Sequence, residues 1–373
     1  MKSRINKLLA IIFMIYIFTF PILKLIFKDI NFSYLENRVL QNKPKFNIQE
    51  FISGEYTKNF QKYIEDQFPM RNTFVSIKSY TELFMKRKEN NDVYIGSDGY
   101  LLQKFNKPVM ELTKKNLKYI NDFSKTFNTY FLLAPTATKI HENKLPKYAV
   151  PYDEEEYINY IRQKLNKGVN FIPLINKLIE KNNEYIYYKT DHHWTTLGAY
   201  YAYVQFCKVY GIKALELNEC DIIKASDNFY GSLFSKGNFT FVKPDTINIF
   251  EPKNKVKTNV NYVAEDKITN TLYEKKHLQN KDKYSIFLDN NHPIIEINTS
   301  IKSGKKLIIL KDSYANCFIP FLINHFEEIH VLDLRFLNMP IPKYAKANNI
   351  NDVLFIYNVQ SFSNDNTFTL LRK

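Results

Sequence analysis

The sequence predicts an α/β protein built on a mostly parallel β-sheet with helices on both faces. Short apolar runs alternate along the chain with amphipathic segments, which is typical of strands buried between two layers of helices. The 373 residues are 45% hydrophobic and 24% charged, which excludes a disordered polymer and allows one large domain or two. No internal repeat is visible, and no change in composition marks a linker.

The amino terminus predicts an uncleaved signal anchor, and therefore a single-pass protein of the cell membrane. Residues 1–7 contain three basic side chains and form the predicted cytoplasmic tail, which leaves residues 28–373 outside the cytoplasm. Leu8–Leu23 carries no charge, and residues 8–27 are long enough to cross a bilayer core. A cleaved signal peptide is the nearest alternative, but Lys24–Leu35 offers no Ala or Gly for cleavage. A buried core helix of a soluble protein is the other alternative.

Charge and cysteine content limit the ligands that the protein can take. The formal net charge of +14 favours polyanions in general, including acidic wall polymers and anionic lipid headgroups. The basic residues are scattered and few of them are Arg, so the sequence predicts no nucleic-acid partner. Cys207, Cys220 and Cys317 have no CxxC spacing, which argues against a zinc site or a disulfide framework. A single bridge between Cys207 and Cys220 stays open.

The chain beyond the membrane is predicted to have two parts. Residues 28–90 form an extended and then helical lead-in, with apolar residues recurring at helical spacing after Gln49. Residues 91–373 form the catalytic domain, which begins with a hairpin over Val93–Leu102. An Asn-, Lys- and Asp-rich stretch at about 221–300 interrupts the α/β alternation, and we interpret it as an insertion with small strands of its own.

The remaining elements follow from apolar periodicity and from turn residues. We expect helices over Asn116–Phe127, Glu154–Leu165, Leu174–Lys181, Thr196–Tyr210 and Tyr314–Phe326. We expect strands over Thr129–Ala134, Val169–Leu174, Tyr185–Tyr188, Leu307–Leu310, Ile329–Leu332 and Val353–Tyr357.

The first cluster with catalytic potential lies between a predicted strand and the helix that starts at Thr196. Asp191, His192 and His193 occupy this loop, and Thr195 or Thr196 would cap the helix. Because ligands of open α/β sheets bind beyond the carboxyl ends of strands, this is where a functional site is expected.

The second cluster follows the apolar run Leu307–Leu310. Ser313 comes directly after it and opens a predicted helix, whose first backbone N–H groups are free to stabilise an oxyanion. This strand–turn–helix arrangement matches a nucleophile elbow, although the G-x-S-x-G sequence is absent.

Together the two clusters supply the groups that acyl transfer needs. Ser313 would be the nucleophile, His193 the base and Asp191 the group that orients the imidazole. Structural roles without catalysis stay open as alternatives. Ser313 or Asp312 would then be a simple helix cap, and the His pair would belong to a packed, hydrogen-bonded loop. A manganese site of the D-H-H type is a further alternative, but no D-x-D carboxylate pair accompanies it, so we predict no metal and no cofactor.

Asp191-His-His-Trp194 followed by Thr-Thr-Leu-Gly-Ala-Tyr resembles the DHHW proteins of Gram-positive bacteria. That family looks related to the alginate O-acetylation proteins (AlgX and AlgJ), which carry an SGNH-hydrolase-like domain. Three further segments fit the same resemblance: Asp66–Arg71, Tyr94–Leu102 and Lys311–Leu322.

The resemblance implies an SGNH-hydrolase-like fold and the triad Asp191, His193 and Ser313, in that order along the chain. The Ser313 backbone N–H would be one oxyanion donor, and Gly237 is expected to supply another. We also expect His192, Trp194 and Asn238 to contact the substrate.

Three functions are compatible with these observations. The first is a membrane-anchored O-acetyltransferase acting outside the cell on a surface or wall polysaccharide, with a multipass acyltransferase of the MBOAT type as the partner that donates acetyl. The second is a carbohydrate acetylesterase that uses the same triad. The third is a non-catalytic scaffold or glycan-binding subunit of a polysaccharide-modification complex.

Overall fold

The computed structural model describes residues 2–372. Met1 and Lys373, the first and last residues of the predicted cytoplasmic tail and catalytic domain, lie outside the described residues. The chain divides into two compact units. The first comprises Met1–Asn90 with Asn238–Thr240, and the second comprises Asn91–Gly237 with Phe241–Lys373. Each unit is described by itself below.

The first unit is mostly helical. Its elements are α1 (Lys2–Ile26), β1 (Phe32–Ser33), β2 (Arg38–Val39), α2 (Ile48–Ser53), α3 (Glu55–Asp66), α4 (Arg71–Phe84) and β3 (Glu89–Asn90). Arg38 donates from its two terminal nitrogens to the two carboxylate oxygens of Asp66, at 2.9 and 2.5 Å, and so ties the β1–β2 ribbon to the end of α3. In α1, Arg4–Ile26 is apolar and long enough to serve as a membrane anchor or as a signal sequence.

The second unit contains the sheet. Its strands are β4 (Val93–Ile95), β5 (Leu101–Gln103), β6 (Asn128–Ala134), β7 (Val169–Phe171), β8 (Cys220–Phe229), β9 (Asp245–Pro252), β10 (Thr258–Tyr262), β11 (Lys267–Thr269), β12 (Ile294–Thr299), β13 (Lys306–Lys311), β14 (Glu328–Leu332) and β15 (Asp352–Asn358). Its helices are α5 (Met110–Phe123), α6 (Ala137–Ile140), α7 (Glu154–Lys164), α8 (Ile175–Glu180), α9 (Thr196–Tyr210), α10 (Ser232–Gly237), α11 (Ile341–Ala347) and α12 (Val359–Asn364).

The central sheet has the order β11-β10-β12-β14-β13-β15-β6-β7. Its strands from β14 to β7 are parallel, whereas β12, β10 and β11 add antiparallel pairs at one edge. Helices and two separate apolar cores cover its faces, which confirms the predicted α/β class. The carboxyl end of β13 lies near the middle of the sheet, between β14 and β15.

Alternate residues of the central strands enter different cores. On β13, Leu307 and Ile309 belong to one cluster, whereas Ile308 and Leu310 belong to the other, and all four are fully buried. Because successive side chains of a strand point to opposite faces, a strand covered on both sides must be apolar throughout. This explains the continuous hydrophobic runs on which the fold prediction rests.

Two element predictions were wrong. Tyr185–Tyr188 forms no regular strand, and only an isolated bridge joins Tyr187 to Trp194. The predicted helix Tyr314–Phe326 is a pair of 3₁₀ turns over Ser313–Cys317 and Ile319–Asn324. Pro320 lacks the N–H that an α-helix needs at that position and clashes with the preceding turn, which accounts for the break.

The stretch at about 221–300 is only partly a separate insertion. β8 and β9 form a two-stranded sheet of their own, but β10, β11 and β12 extend the central sheet. Their antiparallel pairing lets one face stay polar, which hid their membership of the sheet from the sequence pattern. The three cysteines are buried and free, so the open Cys207–Cys220 bridge does not form.

Candidate active site

Ser313 follows the carboxyl end of β13, where Asp312 fastens the turn to the neighbouring strand. One carboxylate oxygen of Asp312 accepts the N–H of Tyr314 at 2.9 Å, and the other accepts the N–H of Asn358 at 2.8 Å. Burial raises the pKa of Asp312, although the two N–H donors oppose this effect. Asp312 is therefore the cap of the turn, which leaves the Ser313 hydroxyl free of that role.

The buried carboxylate of Asp245 stabilises the loop that carries Asp191 by accepting hydrogen bonds from it. Asp245 accepts the backbone N–H groups of Lys189 and Thr190 at 2.8 and 2.7 Å, and the Thr190 hydroxyl at 2.5 Å. The Tyr185 hydroxyl also donates to it. Burial raises the pKa of Asp245 against these four donors. The sequence pattern gave no signal for Asp245, which comes from the start of β9.

Asp191 accepts three hydrogen bonds. Its Oδ1 accepts the backbone N–H of His193 at 2.9 Å and the ring Nδ1–H of the same residue at 2.5 Å. Its Oδ2 accepts the N–H of Ser232 at 2.7 Å. Burial opposes ionisation of Asp191, but the two imidazoles and these donors outweigh it and hold its pKa well below the usual range.

Asp191 occupies the space in which a side chain at position 231 would lie, and Gly231 has none. A Cβ at position 231 would lie 2.2 Å from the Asp191 Cβ, closer than two carbons can approach. Glycine is therefore needed at position 231 because Asp191 packs close to its backbone. A side chain there would displace Asp191 from its hydrogen bonds with His193.

The structure brings Ser313, His193 and Asp191 together, although Ser313 and His193 are 120 residues apart. His193 Nε2 and Ser313 Oγ are 2.8 Å apart. Because the Asp191 carboxylate accepts at Nδ1, the proton of a neutral imidazole sits there and Nε2 accepts the Ser313 hydroxyl. The chain of contacts runs from carboxylate to imidazole to hydroxyl, which is the order that general-base activation of a nucleophile requires.

Tyr284 packs against the imidazole of His193 and was missed by the sequence analysis. Its ring stacks on His193 with centroids 3.8 Å apart and planes at 9°. Its hydroxyl donates to the Ser313 carbonyl at 3.1 Å. Tyr284 lies in a 3₁₀ turn of the polar stretch after β11, where no motif singles it out.

The predicted substrate contacts have different outcomes. Trp194 is wrong as a substrate residue, because it is fully buried and its indole N–H donates to the Tyr314 carbonyl at 2.9 Å. It joins the segment that carries His193 to the one that carries Ser313. Asn238 belongs to the first unit, and its role stays a prediction.

His192 lies beside His193, with ring centroids 3.8 Å apart, and its Nδ1 is 2.6 Å from Ser232 Oγ. Burial, followed by repulsion from His193, lowers the pKa of His192 to about 3. It is therefore neutral at ordinary pH, and its side chain keeps 28% of its surface exposed. Substrate binding by His192 stays a prediction.

For the oxyanion hole, the Ser313 N–H has no acceptor within residues 2–372, as a donor to a developing oxyanion requires. Gly237 ends α10, the helix whose first residue binds Asp191, and its role as second donor stays a prediction.

Asp191, His192 and His193 also offer three metal-ligand atoms within 4.8 Å of one another. Each of these side chains already has a hydrogen-bond partner: His193 for Asp191, Ser232 for His192, and Ser313 for His193. A metal ion here would have to break the contact between His193 and Ser313 or the one between Asp191 and His193. The donor set therefore fits proton transfer better than metal binding.

A buried lysine stands directly before the turn and was not predicted. Lys311 Nζ donates to Asn291 Oδ1 at 2.6 Å and to Asn316 Oδ1 at 2.7 Å, and it lies 3.6 Å from Asp333. Burial lowers its pKa to about 8, against the attraction of Asp333. Lys311 fixes Asn316, three residues after Ser313, and so stiffens the 3₁₀ turn that carries the hydroxyl.

Comparisons with known proteins agree with this architecture. The chain is similar to a DHHW family protein from Eubacterium siraeum, at 27% identity over 76% of this chain and 95% of that chain, with a TM-score of 0.61. It is also similar to Bacillus cereus PatB1 with a sulfonyl adduct, at 24% identity over 76% and 99% of the two chains, with a TM-score of 0.65. A more distant similarity is to the O-acetyltransferase domain of Pseudomonas putida AlgJ, at 13% identity over 74% and 93%, with a TM-score of 0.47.

No curated protein matches the sequence. The family model described as DHHW protein matches residues 93–332, which is more than half of the chain and includes the Asp191 loop and Ser313. The chain therefore belongs to the DHHW protein family.

Proposed function

We propose that this protein is a membrane-anchored O-acetyltransferase that acts outside the cytoplasm on a cell-surface or wall polysaccharide. The observation that carries the proposal is the hydrogen-bonded series of Asp191, His193 and Ser313, with 2.5 and 2.8 Å between successive partners. The acetyl group and the glycan rest on the resemblance to the alginate O-acetylation proteins rather than on this geometry.

In the first half-reaction, Ser313 Oγ attacks the carbonyl carbon of the acetyl donor while its proton passes to His193 Nε2. The tetrahedral oxyanion is stabilised by the Ser313 N–H, with Gly237 as the proposed second donor. The imidazolium keeps its Nδ1–H on Asp191 and returns the Nε2 proton to the leaving group. Ser313 then carries the acetyl group as an ester.

In the second half-reaction, a sugar hydroxyl takes the place of the leaving group. His193 Nε2 accepts its proton, the sugar oxygen attacks the acetyl carbon, and the proton returns to Ser313 Oγ as the ester breaks. Asp191 stabilises the imidazolium in both steps without itself becoming protonated.

The apolar helix α1 supports a membrane location, because an anchor would keep the enzyme beside a membrane-bound acetyl donor. A multipass acyltransferase of the MBOAT type is the proposed donor partner, with the amino terminus in the cytoplasm and the catalytic domain outside. The donor partner and this orientation across the membrane are both parts of the proposal.

The test uses the full-length protein in non-ionic detergent with p-nitrophenyl acetate as donor and an oligosaccharide as acceptor. Mass spectrometry of the sugar and assay of free acetate separate transfer from hydrolysis. Acetylated sugar that disappears in Ser313→Ala, but not in the matched surface variant Ser303→Ala, supports the proposal. Free acetate alone would identify an esterase, and unchanged turnover in Ser313→Ala would favour a non-catalytic role. A sulfonyl fluoride, chosen because PatB1 has been described with a sulfonyl adduct, should block both products.

A further inference from the structure

Lys281 is a half-buried cation with no carboxylate partner. Its Nζ lies over two aromatic rings, 4.6 Å from the centroid of Phe234 and 5.7 Å from that of Tyr230. Within residues 2–372, no carboxylate approaches this Nζ within 4 Å, whereas Lys267 and Lys276, which precede it in the chain, both contact Asp289. Removal of an ammonium group from water without a counter-ion costs free energy, and burial accordingly lowers the pKa of Lys281.

The rings that contact Lys281 belong to a segment that is hydrogen-bonded to the Asp191 loop. Tyr230 and Phe234 stand on either side of Ser232, whose N–H binds Asp191 and whose hydroxyl contacts His192. The Phe234 N–H also donates to the carbonyl of Thr190, at 2.9 Å, one residue before Asp191. The wall beneath Lys281 is therefore fixed to the Asp191 loop.

The segment that carries Lys281 also contacts the candidate active site, through Tyr284. Three residues after Lys281, Tyr284 stacks on His193 and donates to the carbonyl of Ser313. Lys281 is therefore connected to the triad in two ways. Its ring partner Phe234 is hydrogen-bonded to the Asp191 loop, and Tyr284 in its own segment contacts His193 and Ser313. The partly exposed ring of His192 contacts Ser232, which lies between Tyr230 and Phe234 in the chain.

Two cations act on His192 from outside its own loop. Lys236 and Arg335 both contribute to lowering the pKa of His192. The carboxylates of the candidate active site are already engaged: Asp191 by His193, Asp312 by two backbone N–H groups, and Asp333 by Arg335. Lys281 therefore has capacity for an external anion, and such a cation binds one more readily than a fully hydrated lysine does, because less water is displaced.

We propose that Lys281, supported by Tyr230 and Phe234, binds a negatively charged group of the polymer that accepts the acetyl group. The acceptor is then an acidic polymer, with a carboxylate or a phosphodiester a short distance from the hydroxyl that is modified. This inference rests on the proposed function, since it names the substrate class of the same site. The net charge of +14 would assist the approach of such a polymer.

The test measures binding in the full-length Ser313→Ala protein, so that it does not depend on acetyl chemistry. The fluorescently labelled probes are a trimer of galacturonic acid, a trimer of glycerol phosphate and a neutral trimer of N-acetylglucosamine, with fluorescence anisotropy as the readout. We expect at least one acidic trimer to bind more tightly than the neutral one. Lys281→Gln should weaken its binding about tenfold, as for a lost hydrogen bond to a charged group.

Lys275→Gln is the matched control, because Lys275 is an exposed lysine on the same polar segment and carries the same charge. It should change the affinity less than twofold, and Lys281→Arg should retain binding. Thermal unfolding verifies that each variant is folded. The galacturonate and glycerol phosphate arms distinguish a carboxylate from a phosphodiester.

Two results would overturn the inference: the neutral trimer binding as tightly as both acidic ones, or Lys275→Gln weakening the acidic trimers as much as Lys281→Gln does. The proposed function is judged separately, by whether the Ser313→Ala substitution abolishes acetyl transfer in the other assay. Selective binding by Lys281 together with no loss of transfer in Ser313→Ala would reject the catalytic assignment and retain the anion subsite.

Discussion

The imidazole of His193 lies flat against the ring of Tyr284, with centroids 3.8 Å apart and an angle of 9° between the planes. This contact fixes the plane in which Nε2 faces Ser313 Oγ and Nδ1 faces Asp191. The phenol hydroxyl donates to the Ser313 carbonyl, so one side chain contacts both His193 and Ser313.

Substitution of Tyr284 separates these two contributions. Tyr284→Leu removes the stack, and we expect it to lower kcat for p-nitrophenyl acetate about tenfold, the equivalent of one aromatic contact. Tyr284→Phe keeps the stack and loses only the hydroxyl, so we expect a fall in stability of about 1 kcal/mol with most of kcat retained. Steady-state kinetics and thermal unfolding measure the two effects. A Phe variant as slow as the Leu variant would show that the stack is not what matters.

Asp191→Asn tests the orientation of the imidazole. The amide retains the size of the carboxylate but favours the wrong tautomer of His193, so Nε2 would no longer accept the Ser313 proton. We expect kcat to fall about 10⁴-fold while the protein stays folded. The matched control is Asp227→Asn, an exposed residue outside the site, which should leave kcat unchanged. Similar rates in the two variants would remove Asp191 from the proposed mechanism.

Gly231→Ala tests the packing behind Asp191. The new Cβ would meet the Asp191 Cβ at 2.2 Å, so the carboxylate must move by about 1 Å, a displacement that costs of the order of 10²-fold in rate. Gly168→Ala is the control, because its Cβ would meet only side chains and carbonyls at 3.2–3.3 Å, outside the site. Equal activity of both variants would mean that the Asp191 loop tolerates the shift.

Glu154 makes stability dependent on pH. Burial raises its pKa from 4.5 to about 7, although the N–H and hydroxyl of Thr136 donate to it at 2.8 and 2.5 Å. Between these pH values the folded protein binds more protons than the unfolded chain does, so stability falls as pH rises from 4.5 to 7 and stays lost above. The contribution is up to about 3 kcal/mol.

Glu154→Gln should therefore reduce the fall in Tm between pH 4.5 and pH 7, as measured by thermal unfolding at a series of pH values. The exposed Glu156, in the same first turn of α7, provides the control Glu156→Gln, which should keep the wild-type slope. Asp245, Asp312 and Asp365 also have raised pKa values and will leave some slope in every variant. An unchanged slope in Glu154→Gln would assign the pH dependence to those groups alone.

The sequence predicted the features that depend on local patterns. The apolar run before Ser313 and the capped helix after His193 both indicate the carboxyl edge of a sheet, and α9 begins and ends at the predicted residues, with Thr195 as its cap. Small strands were expected in the stretch at about 221–300, but the membership of β10, β11 and β12 in the central sheet was not predicted, because an antiparallel strand with one polar face resembles part of a loop-rich insertion.

The supporting residues of the site were beyond sequence reasoning for a different reason. Asp245, Tyr284 and Gly231 come from three separate segments and were not singled out by a motif. Lys311 opens the segment Lys311–Leu322, but nothing in the sequence indicates its contact with Asn316. Each acts through a tertiary contact with Asp191, His193 or the Ser313 turn, and such contacts leave no periodicity in the chain. Trp194 shows the reverse case: a conspicuous residue of the motif is buried and serves packing and hydrogen bonding.

The proposed mechanism requires Ser313 to carry the acetyl group. The most direct test mixes the full-length protein with p-nitrophenyl acetate, quenches with acid and locates the modification by peptide mass spectrometry. We expect one acetyl group on Ser313, absent in Ser313→Ala and strongly reduced in His193→Ala. Acetylation confined to lysines, or equal labelling of Ser313 in the wild type and in His193→Ala, would contradict it.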